Sequence, residues 1–359
     1  MPSPNLQVLI GPVQETPLII GLPAVLRLAQ KISEEVVPER IVLENIPSGF
    51  TERWAPQLSS LDKLAPTLRN GDPVLAFSSR GLPQNGALKR FLLAAQGAGQ
   101  PLRWIHQGQV VASWVPSSAV QTEGRTWEGK DDDWEDLSSP GAIARAEQDI
   151  FDGLVKDVDG YIARFDRRLS IPLSRWMLKA PITPNHITLA SLLLGLVGAA
   201  ALAFGSYAGQ VAGALLLWFC AILDGCDGEV ARLKLLCSPS GAAFDLSADH
   251  IAHLAIFVAI PLAVRSVNPQ AQILLPGLLM VSGMLASMFT VWKLILSRPL
   301  PAADPLRLIF ERIASRDYVY LIVALVVLQK LHWFLWAAAF GTHFFNLFLW
   351  WTFLRRQKA

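Results

Sequence analysis

The sequence predicts two folds in series, an α/β N-terminal domain in the cytosol followed by an all-α domain of six transmembrane helices. Three observations carry this. Before residue 121 short strand-like runs alternate with helix-like ones, beyond residue 185 long apolar runs are broken only by brief polar segments, and Lys and Arg gather at alternate breaks. With 52% hydrophobic and 17% charged residues, the mean hydropathy of +0.37 is high for a soluble protein and low for a wholly membranous one, as a chain divided between two solvents requires.

The first domain, residues 1–120, reads as strands at LQVLI, RIVLEN, PVLAFS and QVVASWV, with helices at GLPAVLRLAQKISEEV and NGALKRFLLAAQGAG. The opening MPSPNLQVLIGPVQ has no basic region, uninterrupted apolar run or small-residue cleavage site, so no secretory signal is expected. Residues 121–140, QTEGRTWEGKDDDWEDLSSP, read as an acidic linker in which Asp131 to Asp133 form a solvated stretch rather than a metal site. Residues 141–182 read as an amphipathic juxtamembrane region. There Arg164, Arg167, Arg168, Arg175 and Lys179 interleave with Ile162, Phe165, Leu169, Trp176 and Met177, a mixture suited to a helix in the headgroup layer.

Residues 183–359 form the membrane domain, with spans expected at about 186–205, 208–231, 241–264, 271–294, 317–332 and 334–354. The fifth is short, and only Lys330, Leu331 and His332 separate it from the sixth, so five spans remain an alternative. Positive charge lies at Lys179, at Arg232 with Lys234, from Lys293 to Arg316 and from Arg355 to Lys358, which places both termini and the break after the second span in the cytoplasm. The expected location is multi-pass in a membrane, the cytoplasmic membrane in a prokaryote. The bilayer is a partner and nucleic acid is not. Cys220, Cys226 and Cys237 lack metal-binding spacing and read as small apolar fillers without a disulfide.

The segment LDGCDGEVARLKLLCSPSGAAFDLSADH puts Asp224, Asp227, Asp245 and Asp249 between apolar spans. A carboxylate at such a place costs several kcal/mol unless its charge is compensated, and a cation is the simplest compensator. Asp224 and Asp227 are three apart on one helix and Asp245 and Asp249 four apart on the next, so each pair shares a face. Pro239 and Gly241 allow a turn that brings the pairs together at the cytoplasmic surface. All-oxygen ligands suit Mg²⁺ or Mn²⁺, and four carboxylates suit two ions, which commonly bridge to substrate phosphates. Gly228, Ala231 and Gly241 leave room for a substrate, and Arg232 offers a fork to a phosphate.

These residues resemble the signature of the CDP-alcohol phosphotransferases, also called CDP-alcohol phosphatidyltransferases: D-x-x-D-G-x-x-A-R, eight residues, then G-x-x-x-D-x-x-x-D. Asp224, Asp227, Gly228, Ala231, Arg232, Gly241, Asp245 and Asp249 fill every fixed position, and TPNHIT at 183–188 is similar to the family's entry into its first span. The resemblance covers about residue 155 to the C-terminus and implies six spans and a homodimer. It implies that Asp224, Asp227 and Asp245 ligate metal, that Asp249 lies near the second metal and deprotonates the acceptor hydroxyl, and that Asn185, Thr188, Gly228, Ala231, Arg232, Ser238 and Gly241 line the CDP site. The implied reaction is attack of an alcohol on the phosphorus bearing the donor's alcohol, with CMP leaving and a phosphodiester formed.

In the first domain TPLIIGLPAVLRLAQKI is similar to the stretch after the nucleotide loop of sugar nucleotidyltransferases, and fusions of such domains to CDP-alcohol phosphotransferases occur in inositol-phosphate pathways. LIGPVQETPL is short and holds only Gly11, and Ser78 and Ser79 stand where an acidic metal ligand is expected, so a degenerate, non-catalytic domain is expected. The donor is either CDP-diacylglycerol or a CDP-polyol, with inositol chemistry favoured by the fusion. Lys293 and Arg298 are candidate contacts for a phosphorylated acceptor, as are Arg312 and Arg316 more distantly, although positive-inside anchoring explains them equally well. The alternative of another class is a cation transporter or channel with the aspartates as its ion site. His250 reads as a polar neighbour of Asp249.

Overall fold

The computed structural model describes residues 5–13, 16–61, 63–69, 71–84, 86–98, 100–117, 124–155, 161–296 and 318–357. The chain divides into two units, Met1–Leu154 with Arg232–Leu236, and Val155–Ala231 with Cys237–Ala359.

The first unit is an α/β fold. Its strands are β1 (Gln7–Gly11), β2 (Leu18–Ile19), β3 (Leu22–Pro23), β4 (Arg40–Leu43), β5 (Val74–Ser78), β6 (Gly81–Pro83), β7 (Leu102–His106), β8 (Gln109–Val115), β9 (Arg125–Glu128) and β10 (Trp134–Asp136). Its helices are α1 (Ala24–Val36), α2 (Phe50–Arg53), α3 (Ala55–Ser59), α4 (Ala87–Ala98) and α5 (Ala142–Asp152). The main sheet runs β4-β1-β5-β8-β7-β9. β1 lies parallel to β4 and β5, β8 is antiparallel to β5 and β7, and β9 is parallel to β7. The four expected strands and both expected helices form. β1 alternates poorly because it is a central strand: Val8 and Ile10 are fully buried, and Gln7 is buried with its amide bonded to Arg69 O at 2.9 Å. α1 buries Val25, Leu26, Leu28, Ala29 and Ile32 on its inner side.

Residues 121–140, expected as a linker, contribute β9 and β10 instead. The acidic residues hide an aromatic core in which Trp104 meets Trp127 and Trp134 edge-on at 5.1 and 5.6 Å and Phe91 at 5.6 Å. Asp133 is not solvated: its side chain is 1% exposed, ion-paired with Arg90, and accepts from Lys130 N at 2.9 Å. Asp131 and Asp132 are exposed, as expected. α5 also belongs to this unit, through buried Ala142, Ala146 and Phe151, so the first fold extends beyond residue 140 to Leu154. Leu235 sits in the same core at 3% exposure, while Ser60 Oγ donates to its carbonyl at 2.9 Å.

In the second unit α6 (Tyr161–Met177) precedes α7 (Pro184–Phe204), α8 (Tyr207–Leu233), α9 (Pro239–Val267) and α10 (Leu274–Val291). α10 ends in a π-helical turn, Trp292–Leu296, and is followed by α11 (Tyr318–Val327) and α12 (Leu331–Gln357). Among the described residues four helices, Pro184–Phe204, Tyr207–Leu233, Pro239–Val267 and Leu274–Leu294, are long and apolar enough to cross a membrane. At 1.5 Å per residue even about 21 residues span the ~30 Å hydrocarbon core. α10 and α12 are joined by a polar ladder: His343 Nε2 meets Leu279 O at 2.9 Å, Asn346 Nδ2 donates to Gly283 O at 3.0 Å, and Trp350 Nε1 donates to Thr290 Oγ1 at 3.1 Å. Partner numbers rise together, so the two helices run parallel. Cys226 is buried as expected of a filler and Cys220 half-buried, but Cys237 is exposed in the α8–α9 turn.

α7 and α8 cross closely. A Cβ placed on Gly213 would lie 2.6 Å from Leu202 N and 2.7 Å from Gly198 O, both backbone atoms that cannot rotate away. Gly213→Leu is therefore expected to cost more than the ~1–3 kcal/mol of ordinary overpacking and to lower the melting temperature of the full chain in detergent sharply.

Candidate active site

α8 carries Asp224 and Asp227 into the unit's interior, where they are 8% and 6% exposed. α9 begins where Ser238 caps it, its Oγ accepting from Gly241 N at 3.1 Å, with Pro239 in the first turn. That fixed start puts Asp245 and Asp249 on the second and third turns. One oxygen each from Asp224, Asp227 and Asp245 lie within 4.8 Å of one another. Asp249 is not one of the three, but lines a cavity with Asp224, Ser191, His253 and Tyr318.

α7 supplies the third wall. Thr183 and His186 form a capping box at its start, and one turn on, Thr188 is buried with its hydroxyl donating to Asp227 Oδ2. Asn185 adjoins the α9 start: its Oδ1 would be 3.6 Å from a Cβ on Gly241, so that glycine keeps a close approach open. Gly228 and Ala231 follow Asp227 on α8, whereas Arg232 opens the segment that belongs to the first unit. Lys293 lies exposed in the π-helical turn; Arg298, Arg312 and Arg316 lie outside the described residues. His250 is half-buried beside Asp249.

The arrangement fits a divalent cation. Three hard carboxylate oxygens converge, and Asp245 Oδ1 is buried without a hydrogen-bond partner, a costly state for a carboxylate unless a cation meets it.

One acidic residue escaped the reading of the sequence. Glu229 is completely buried on α8, ion-paired with Arg167 at 2.5 Å and accepting from Ser170 Oγ at 2.5 Å and Ser174 Oγ at 2.7 Å. The cost argument that singled out the aspartates marks it as a carboxylate in need of partners, but does not say that those partners lie on α6.

Residues 181–345 match the family model described as CDP-alcohol phosphatidyltransferase. The bifunctional IPC transferase and DIPP synthase of Rubrobacter xylanophilus is 32% identical over 130 residues, covering 36% of this chain and 29% of that protein. The protein of the same name from Archaeoglobus fulgidus is 33% identical over 151 residues, covering 42% and 30% respectively. A phosphatidylinositol phosphate synthase of Mycobacterium tuberculosis is 30% identical over 90 residues, covering 25% of this chain and 41% of that protein. The chain thus spans well under half of the length of each relative.

Proposed function

We propose, from the premise that residues 181–345 belong to the CDP-alcohol phosphatidyltransferase family, that the chain transfers a substituted phosphate from a CDP-alcohol to an acceptor hydroxyl and releases CMP. The convergence of Asp224, Asp227 and Asp245 is the observation that carries this reading. These three would hold Mg²⁺ or Mn²⁺. Bound there, such ions would neutralise the donor's diphosphate and the charge that develops on departing CMP, and two ions suit the four-carboxylate set. Thr188 fixes Asp227 from α7. Asn185, Thr188, Gly228, Ala231, Arg232, Ser238 and Gly241 are the proposed CDP contacts. Asp249 accepts the proton of the acceptor hydroxyl as its oxygen bonds to the phosphorus carrying the donor's alcohol, and the phosphorus–oxygen bond to CMP breaks.

The membrane domain is proposed to have six spans, α7 to α12, with both termini and the aspartates on the cytoplasmic side and a second copy completing a homodimer. Parallel α10 and α12, with α11 between them in sequence, support the even count. α6 is the proposed headgroup-layer helix, supported by Phe165 and Trp176 at 46% and 64% exposure.

The first unit is proposed not to transfer nucleotides. Between β1 and α1, where a phosphate loop would lie, β2 and β3 pair as a hairpin whose turn residues Ile20 and Gly21 have φ of 51° and 72°. Ile20 N–H is taken by Glu147 at 2.7 Å, α1 begins after Pro23, which has no N–H to give, and Ser79 donates to Pro12 O. The name of one relative, phosphatidylinositol phosphate synthase, supports inositol chemistry for the donor or acceptor.

The test is CMP release by the purified full chain with CDP-diacylglycerol, CDP-inositol or CDP-glycerol against inositol, inositol phosphate, glycerol 3-phosphate or serine. One pair is expected to react, to stop on chelation with EDTA and to resume with Mg²⁺ or Mn²⁺. Release that persists through chelation would overturn the metal-dependent reading.

A further inference from the structure

Behind α8 lies a buried polar cluster that is not part of the three-aspartate site. Glu229 lies two residues beyond Asp227, which at 100° per residue puts it on the opposite side of the helix from the Asp224 and Asp227 face. Both of its oxygens are engaged, Oε1 by Arg167 Nη1 and Ser170, Oε2 by Ser174, and all three partners belong to α6. Cys226, one turn earlier, reaches Ser170 O at 3.6 Å. Ser170 and Ser174 are 2% and 0% exposed, so no water competes for these bonds. α6 is itself tied elsewhere, because Tyr320 of α11 donates to Asp166.

A buried ion pair is a poor source of net stability, since apolar side chains of similar size often serve as well or better. What it provides is direction. Apolar contacts between α6 and α8, among them Met177 against Leu223 and Val230, tolerate small slides and rotations. Three hydrogen-bonding atoms converging on one carboxylate do not. Metal ligands must hold their oxygens to within about 0.2 Å of the preferred distance, and a helix free to turn by a few degrees moves side-chain ends by more than that. Asp227 is held from the front by Thr188, while the helix that carries it is held from behind through Glu229.

We propose that Glu229, clamped by Arg167, Ser170 and Ser174 of the juxtamembrane helix, is a positioning residue that sets the rotation of α8 and so the spacing of the metal-binding aspartates. This rests on the metal-dependent reading above and adds to it a residue that touches neither metal nor substrate. It makes α6 part of the active-site framework as well as a membrane anchor.

The test compares wild type, the paired variant Glu229→Leu with Arg167→Leu, and Glu229→Gln, in the full chain. Mn²⁺ affinity is read by electron paramagnetic resonance without donor, melting temperature in the same detergent, and CMP release with the active pair. The paired variant removes both charges together, so its melting temperature should stay near the wild-type value. Its Mn²⁺ affinity should fall by about ten-fold or more, the usual loss when an outer partner of a metal ligand is removed. Glu229→Gln, which keeps hydrogen bonds to the serines but not the charge, should fall between the two. A folded paired variant with wild-type Mn²⁺ affinity would overturn the proposal, as would wild-type affinity in Glu229→Gln should the paired variant fail to fold. Wild-type protein that bound no Mn²⁺ would overturn the metal-dependent reading itself and this proposal with it, a result distinguishable from the variant outcomes.

Discussion

Asp227→Asn protein is expected to release CMP at least about a thousand-fold more slowly than wild type while melting no lower in the absence of metal. The loss follows from position. Asp227 shares the three-carboxylate cluster with Asp224 and Asp245 and is the member oriented by Thr188. Metal stabilisation of transition-state charge is worth several kcal/mol, and each ~1.4 kcal/mol is tenfold in rate. The stability expectation has the opposite sign. Without a cation, carboxylates this close repel one another in a poorly hydrated setting, so neutralising one removes a strain, and the carboxamide can still accept from Thr188. Added Mn²⁺ should raise the melting temperature of wild type and leave that of the variant nearly unchanged, since only protein that binds the ion gains from it. A variant that released CMP at the wild-type rate would remove the cluster from the chemistry. A variant that melted far lower would make Asp227 a structural residue.

The contrast between the aspartates and Glu229 shows what a sequence makes legible. Asp224 with Asp227 and Asp245 with Asp249 are local pairs, at offsets that put each on one helical face, and the turn at Pro239 needs only a short connection to join them. Nothing distant had to be known. Glu229 is understood only with Ser170 and Ser174, 59 and 55 residues away, and small hydroxyl residues at that distance carry no signal of their own. The same division runs through the first unit. β1, β4, β5 and β8 show as runs of apolar and β-branched residues, whereas β9 and β10 lie among Glu, Asp and Lys and owe their existence to remote partners, β7 for one and β6 for the other. Their tryptophans were the available clue. Trp127 and Trp134 in an otherwise acidic stretch are costly to leave in water, and both pack against Trp104. Asp133 was misread for a related reason: charge runs usually face solvent, but this one supplies a buried partner for Arg90.

Asp249→Asn is expected to separate catalysis from metal binding. Asp249 projects from the same helix as Asp245, one turn further along, and is not one of the three carboxylates whose oxygens lie within 4.8 Å of one another. It lines a cavity with Asp224, so an acceptor hydroxyl there would lie between a metal-facing carboxylate and a potential base. An amide at this position cannot take the hydroxyl proton, and loss of a general base typically costs about 10²–10⁴-fold. On the proposed reading the first ion is held by Asp224, Asp227 and Asp245, so the Mg²⁺ concentration giving half-maximal rate should shift little while the maximal rate collapses. Asp227→Asn should shift both. Raising the pH separates the two further: a more basic solution supplies hydroxide and deprotonated acceptor, so the rate of Asp249→Asn should climb with pH, while that of Asp227→Asn, which lacks a ligand and not a base, should not. Should Asp249→Asn move the Mg²⁺ dependence as far as Asp227→Asn does, Asp249 would be a ligand first, and the base would have to be sought among the other groups lining the cavity, with His253 the nearest in sequence.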